Sequence, residues 1–510
     1  MATLDPQTAL FTTAQVRSLD QAAIGSGIPG IALMERAARA AFDALRRHWP
    51  QAQTLCVLCG PGNNGGDGFL LAALARESGL QASVIAIGEH ATGDAALARG
   101  RFVQEGGQVA SATSGLPDAD AYVDALFGSG LNRAPEGDAA ALIAALNAQA
   151  HPVLALDVPS GLDSDTGAAF EPCVRAAASV CFVGWKRGLF TARAPDQCGE
   201  CSLATLDIPA EIYSGETPDA LLLTPKALPA RSRDSHKGRY GHVLAIGGDL
   251  GAGGAVRLCG EAAARVGAGL VSVATREANV GAILAARPEL MPHGVHVPRN
   301  LEPLLARASV LAVGPGLGRD DWGHGLWYAA LDSRKPAVLD ADGLNLLAAY
   351  PRGLPETCVL TPHPGEAARL LATDTAGVQA DRFAAARAIA RNCGAVVVLK
   401  GAGSLIADAD GQVAVCPWGN PGMASAGMGD VLTGVIAGLL AQGLSAWDAA
   451  CLGVGLHARA GDLAARAGER GLLASDLFHY LRALVNGHLS AIVPDRRVAE
   501  RLGTSGNPSR

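Results

Sequence analysis

Aromatic side chains are scarce in this chain. Only 6 Trp, 6 Tyr and 10 Phe occur among 510 residues. The Trp and Tyr are scattered, so neither an aromatic cage nor a base-stacking platform can be read from them. Long basic runs are missing too, and the formal net charge is −7. Bulk electrostatics therefore argues against nucleic acid and anionic membranes as partners. The first ten residues hold no basic start and no apolar core, so no signal peptide is read. No apolar run free of Gly, Pro or charge is long enough to span a bilayer. The 11 cysteines are odd in number and sit mostly in apolar runs (Cys259, Cys358, Cys451), which reads as reduced, buried thiol and a cytoplasmic location. Two Cys-x-x-Cys pairs occur, Cys56/Cys59 and Cys198/Cys201. The first lies on a predicted strand, where positions three apart face opposite ways and share a ligand poorly.

Glycine and small apolar residues are what the chain has in quantity. With 64 Gly, 49% hydrophobic and 17% charged residues, it has the composition of a large, well-buried α/β protein, and its length suggests about two to four domains. Helical spacing runs over Thr12 to Arg47, broken by Gly27-Ile28-Pro29-Gly30. A buried strand, Thr54 to Cys59, leads into Gly60-Pro61-Gly62-Asn63-Asn64-Gly65-Gly66-Asp67-Gly68 and then a helix predicted from Phe69 to Glu77. Strand, Gly-rich loop and helix form the phosphate-binding arrangement of doubly wound sheets, with a tight turn capped by Asp67 as the plainer alternative. No Gly-Lys-Ser/Thr follows, so it is not a P-loop, and the glycine spacing is not that of a dinucleotide fingerprint. Further strands at Ala82 to Ile87, Ala121 to Ala125 and Val153 to Leu156 alternate with helices, which predicts a mainly parallel sheet. Two of these strands end in an acid: Asp124, followed by Ala-Leu-Phe-Gly-Ser-Gly, and Asp157, followed by Val-Pro-Ser-Gly. Ligands in such sheets sit beyond the carboxyl ends of strands, so Asn64, Asp124, Asp157 and Ser160 are expected on one rim. Oxygen ligands of low total charge suit a hard, monovalent cation.

This set of motifs resembles the NAD(P)H-hydrate epimerase domain, a Rossmann-like doubly wound sheet. The resemblance implies that Asn63, Asn64, Gly65, Gly66 and Asp67 contact substrate. The loop Gly128, Ser129, Gly130, Leu131, Asn132, Arg133 and Ala134 joins them, and so does Asp157, the implied catalytic proton carrier. Asn64, Asp124 and Ser160 are the implied potassium ligands. One departure is Met34-Glu35-Arg36-Ala37-Ala38, where the family commonly has Asn and Gly at the places of Arg36 and Ala38.

Periodicity fades between Pro209 and Arg233, where Pro209, Pro218, Pro225 and Pro229 mark a boundary. The expected division is 1–215, a linker 216–230, a second domain 231–497 and a flexible tail 498–510. In the second half, strands again end in Gly or polar residues: Gly247-Gly248-Asp249, Gly314-Pro315-Gly316-Leu317-Gly318, Asp340-Ala341-Asp342, Thr361-Pro362-His363-Pro364-Gly365-Glu366 and Lys400-Gly401-Ala402-Gly403-Ser404. The strand ending at Thr275-Arg276 lacks the acid that a ribose would want. Asp342 and Asn345 read as a helix entrance. Last comes Asn420-Pro421-Gly422-Met423-Ala424-Ser425-Ala426-Gly427-Met428-Gly429-Asp430, followed by an apolar helix from Val431 to Ala441. Its glycines allow close backbone approach, and its helix start offers N–H groups to a phosphate. Asp430 reads either as an N-cap or as a general base aimed at a substrate hydroxyl.

The second half resembles the ribokinase-like fold and, within it, the ADP/ATP-dependent NAD(P)H-hydrate dehydratase. The carrying pieces are His236-Lys237-Gly238, the loops at 314–318, 361–366 and 400–404, and Gly427-Met428-Gly429-Asp430. The resemblance implies that Lys400, Gly401, Ala402, Gly403, Ser404 and Gly429 hold the adenine nucleotide, with Mg2+. Ala255, Gly318, His363 and Asp430 are implied to contact the hydrate, with Asp430 catalytic and Glu366 in the place of a magnesium-organising acid. Ala426 stands where the family often has Gly, and a positive φ there would strain the loop. Epimerase followed by dehydratase is the order of a bifunctional repair enzyme for hydrated NADH and NADPH. It acts on small-molecule substrates with ADP or ATP, uses neither nucleic acid nor membrane, and is expected as a homo-oligomer. A plain small-molecule kinase shares Asp430 and the anion loop but leaves the first half without a role. A first half serving only as a binding module is the other alternative.

Overall fold

The computed structural model describes residues 5–88 and 92–488. The expected tail 498–510 lies outside the described residues. The chain divides into two compact units, Met1–Leu221 and Leu222–Arg510, and the division falls inside the stretch read as a linker.

The first unit is built on a seven-stranded sheet in the order Val109–Ser111, Gln81–Ala86, Thr54–Cys59, Ala121–Ala125, Val153–Leu156, Ala178–Phe182, Glu200–Ala204. Every pairing in it is parallel. Side chains of period two split between its faces. Val57, Val123 and Leu154 pack with helices Thr13–Gly25, Gly30–His48, Asn63–Glu77 and Gly93–Gln104. Cys56, Leu58, Tyr122 and Ala155 face Leu142, Ile143 and Leu146 of helix Gly137–Asn147. Burial on both faces explains why these strands are nearly continuous apolar runs. A short strand, Ala9–Phe11, pairs in parallel with Trp185–Lys186, placing Phe11 opposite Lys186.

The Gly-rich stretch differs from its expected form. The helix starts at Asn63, not Phe69, so Asn63 to Gly68 are helical. Glycine in a helix interior costs about 1 kcal/mol against Ala, so composition argues for a loop. Tight packing overrides it: a Cβ on Gly66 would lie 2.6 Å from Met34 Sδ, and one on Gly65 would overlap the Gly60 carbonyl.

In the second unit the parallel strands run Met291–Gly294, Leu270–Thr275, His242–Ile246, Val310–Val313, Ala337–Leu339, Cys358–Leu360, Val396–Leu399. The antiparallel strands Leu405–Ala407 and Val413–Val415 follow. Helix Met428–Ala441 is buried on nearly all sides, with Val431, Val435, Ile436 and Leu439 in the core. A helix apolar all round belongs inside a layered fold, and its N-terminal turn is thereby fixed. Among the described residues no helix is long and apolar enough to cross a membrane.

Candidate functional site

Each unit carries its own cluster of chemistry. In the first, a cavity of about 880 Å³ is lined by Asn63, Asn64, Asp67, the whole of Gly128 to Ala134, and Asp157. Gly65 and Gly66 are not in its wall; their faces are taken by the packing just described. Asp124 and Ser160, at the same strand ends, are fully buried and lie outside that lining. Ser160 joins them: its amide and hydroxyl both donate to Asp124 at 2.7 Å, and the hydroxyl also accepts from the Phe127 amide at 2.9 Å. Burial pushes the Asp124 carboxyl up to about 6 despite these donors.

Asp157 ends the strand Val153–Leu156 in the left-handed region, at φ 65°. One oxygen accepts from the Ser129 amide at 3.0 Å, tying the substrate loop to it. The other forms a salt bridge with Lys186, which is 1% exposed. Lys186 also donates to the Phe182 carbonyl at 2.8 Å. Burial, the largest single influence, pulls its ammonium down, but Asp157 and Cys181 together hold it above the ordinary lysine value. Sequence reasoning missed Lys186, because its pairing partners are distant in the chain. It also missed Asp20, on the cavity wall from helix Thr13–Gly25, where burial raises the carboxyl, Lys186 opposes the rise and Asp157 adds to it. Asp67 is raised well above the carboxylate range, first by burial and then by Asp157 and Asp20.

In the second unit the glycine turn is arranged for an anion. Gly427, at φ 90°, is the N-cap of helix Met428–Ala441, a conformation that an L side chain strains to adopt. Ala426 is not among the positive-φ residues, so Ala at that place carries no such strain. Asp430 is in the first turn and is not the cap. Its carboxyl makes no hydrogen bond among the described residues, and it is pushed up to about 7 by burial and by Asp340, with Lys400 opposing. Lys400 Nζ donates to Asp340 Oδ1 at 2.7 Å and stands 3.8 Å from Glu366. A Cβ on Gly429 would lie 3.2 Å from that ammonium and 3.4 Å from Asp340 Oδ2. Gly429, Lys400, Asp340 and Asp430 are therefore one group.

His363 is the N-cap of helix Pro364–Leu370, accepting from the Gly365 amide at 3.0 Å, while Glu366 accepts from the His363 amide at 2.8 Å. Its exposed Nε2, 3.3 Å from Glu366, faces the same group. Burial lowers this imidazole, followed by Lys400 and Arg369. The Lys400–Ser404 loop is held from below by the buried Arg382, which donates to the Leu399 and Lys400 carbonyls at 3.2 Å. Gly401 and Ala402 are exposed. Gly318 donates its amide to Asp342 at 3.0 Å, so Asp342, read as a plain helix entrance, also orients the predicted hydrate loop. Ala255 sits in the first turn of helix Gly253–Arg265, against Gly316.

A parallel sheet with a lysine–carboxylate pair lining a large cavity, joined in one chain to a kinase-type anion turn with an acid in its first helical turn, defines a two-site α/β enzyme. Two family models match it in the same order: "YjeF-related protein N-terminus" over residues 30–188 and "NAD(P)H-hydrate dehydratase" over residues 243–483. The chain is 48% identical to a bifunctional NAD(P)H-hydrate repair enzyme of Coxiella burnetii, over 94% of this chain and 100% of that one. It is 41% identical to the enzyme of that name from Escherichia coli, over 94% of each. Among solved structures, an ADP/ATP-dependent NAD(P)H-hydrate dehydratase from Bacillus subtilis, co-crystallized with ATP/Mg2+, is 30% identical. It covers 51% of this chain and 93% of that chain, with a TM-score of 0.46. The chain belongs to the family of bifunctional NAD(P)H-hydrate repair enzymes.

Proposed function

We propose that the first unit interconverts the R and S epimers of hydrated NADH and NADPH, and that the second dehydrates the S epimer at the expense of ADP or ATP. The observation that carries the second half of this reading is the placing of Asp430, in the first turn of a helix capped by Gly427, beside Lys400 and without a hydrogen bond among the described residues, where burial and Asp340 push its carboxyl up to about 7. The hydrate carries a hydroxyl on a ring carbon next to nitrogen. Hydroxide leaves poorly and phosphate leaves well. The alcohol oxygen attacks the terminal phosphorus of the nucleotide, the bond from that phosphorus to its bridging oxygen breaks, and Asp430 takes the alcohol proton. The ring nitrogen then expels phosphate, and loss of a proton from the neighbouring carbon restores the dihydropyridine. Lys400 and the helix N–H groups stabilise the charge of the phosphoryl group in flight. The oxygens of Glu366 already face the His363 amide, the His363 ring and Lys400, so it organises the site and is not a free ligand. Magnesium, which neutralises polyphosphate charge when bound, comes with the nucleotide's own oxygens.

At the first site Asp157 is the proton carrier for the ring hydroxyl, with Lys186 as its ion-pair partner. Gly128 to Ala134 and Asn63, Asn64 and Asp67 enclose the substrate. Asn64, Asp124 and Ser160 fit a potassium ion. Both polar atoms of the Asn64 side chain are buried without a partner, and the set has one carboxylate among neutral oxygens. Potassium would supply a fixed positive charge there. The cysteines are all free, 11 of them, in keeping with a cytoplasmic location. A homo-oligomer is carried over from the family resemblance alone, and sedimentation of the full chain checks it.

The test is a mixture of hydrate epimers given to the full chain. With ADP or ATP, the near-ultraviolet absorbance of the reduced ring returns in full; without nucleotide, chiral chromatography shows the epimers equilibrating and no absorbance returns. A stable phosphorylated product would instead mark a plain kinase. Return of only the S fraction would leave the first unit without turnover.

A further inference from the structure

The second site contains an ion pair that the reaction above does not explain. Asp340 follows the strand Ala337–Leu339 directly and is 1% exposed. One carboxyl oxygen receives Lys400 at 2.7 Å; the other receives the Thr433 hydroxyl at 2.9 Å, from the second turn of the helix that carries Asp430. A buried charge pair costs desolvation on both sides, and well-packed apolar residues often serve stability as well or better. Its retention beside Gly429 therefore calls for a role in the site. Thr433 is buried, 0% exposed, so the Asp340 end is anchored to the anion helix, while the Lys400 side chain is partly exposed and its Nζ would lie 3.2 Å from a Cβ on Gly429.

We propose that Asp340 is a positioning residue of the second site: clamped by Thr433, it fixes the Lys400 ammonium beside Gly429, and the pair governs how Asp430 exchanges its proton. This rests on the reading of Asp430 as the base. The charged and titratable groups around Asp430 come from several elements. Asp340 follows strand Ala337–Leu339 and Lys400 follows strand Val396–Leu399, with Cys358–Leu360 between the two in the sheet. Cys259 faces it from helix Gly253–Arg265. Glu366 and His363 face the pair from helix Pro364–Leu370 and its cap, and His457 faces Lys400 from helix Ala446–Ala464. Burial holds His457 down to about 4 and Cys259 well up, so both are neutral near pH 7. The local field at Asp430 is then set by Asp340, which favours its protonated form, and by Lys400, which opposes it, Asp340 having the larger effect.

The sign follows. Removing the Asp340 charge leaves Lys400 to act on Asp430 with less opposition, so Asp430 becomes a stronger acid. The experiment is a 13C NMR titration of aspartate carboxyls in the full chain, with Asp430→Asn identifying the Asp430 signal, alongside the pH profile of kcat/KM for dehydration. In Asp340→Asn, the Asp430 titration and the acid limb of the profile both move down by about one pH unit or more. Should that variant fail to fold, Asp340→Asn with Lys400→Met removes both members of the pair and gives a smaller downward move. A merely structural Asp340 would lower the melting temperature and leave the titration in place. An unchanged or raised Asp430 titration overturns the inference. Failure of the base assignment looks different: Asp430→Asn then keeps its dehydration activity, whether or not the titration moves.

Discussion

Two carboxylates stand at the two sites, and their surroundings are opposite. Asp157 is saturated: it receives the Lys186 ammonium, the Ser129 amide at 3.0 Å and the Phe182 amide at 3.4 Å. Among the described residues Asp430 receives no hydrogen bond, and burial with a like charge nearby pushes it up to about 7. Both units supply the same kind of ledge, at the carboxyl ends of a parallel sheet. What differs is the set of donors within reach. A carboxylate held by a cation and amides is fixed in place and ties a loop to the strand end. One deprived of donors is poised to take a proton near neutral pH. The role of each acid is decided by its immediate neighbours, and the shared architecture only provides the place.

The sharpest way to break this comparison is to neutralise the unpaired acid. Asp430→Asn should cut dehydration by about 10²–10⁴-fold, the usual yield of a general base, while epimerisation in the same chain is unchanged. A stability change accompanies it. With its folded value raised from 3.8 to about 7, Asp430 contributes stability that is present below the unfolded value and lost as pH rises through about 7. The Asn variant should therefore unfold at higher urea than the parent at pH about 8, with no such gain near pH about 4. Equal midpoints at the higher pH would mean that the carboxyl is not strained by its site.

At the other acid the expectation reverses. Lys186→Met strands Asp157 in a buried pocket, and breaking one side of such a pair costs about 3–5 kcal/mol. The first unit should lose that stability and its epimerase activity together. Adding Asp157→Asn should restore most of the stability, because no charge then stays buried alone, and none of the activity. A double variant as unstable as the single one would show that the pair is held by packing and not by charge.

How much of this could be read from the chain alone depended on how local the signal was. Apolar runs ending in Gly or Asp placed the strands and the ledge, because strand burial and turn chemistry are written in adjacent residues. Asn63 to Gly68 misled, since five glycines in nine residues argue for a loop unless one knows that Met34 and Gly60 press against them. Lys186 was illegible: only the pairing of Ala9–Phe11 with Trp185–Lys186 and the closure of the sheet bring it to Asp157. Asp340 was legible and overlooked. It ends an apolar strand just as Asp157 does, but Asp342 and Asn345, two and five residues on, drew the helix-entrance reading. Arg382 had no signal, since an arginine at a helix start is ordinarily solvated.

The smallest expected effect concerns Asn64. Its buried amide has no partner for either polar atom, a state that costs about 1–3 kcal/mol unless something outside the protein satisfies it. Burial raises Asp124, the carboxylate of the same set, to about 6, and a bound cation would lower it. Potassium at ten times its dissociation constant should stabilise the folded first unit by about 1.4 kcal/mol, or roughly 3–6 °C for a unit of this size. The measurement is the melting temperature of the first unit's transition in the full chain, in potassium against an equal concentration of a bulky organic cation, which holds ionic strength fixed. Asp124→Asn should abolish the difference while removing the cost of the buried carboxyl. If the variant keeps the potassium increment, the ion binds elsewhere, and the orphaned amide of Asn64 is satisfied by water alone.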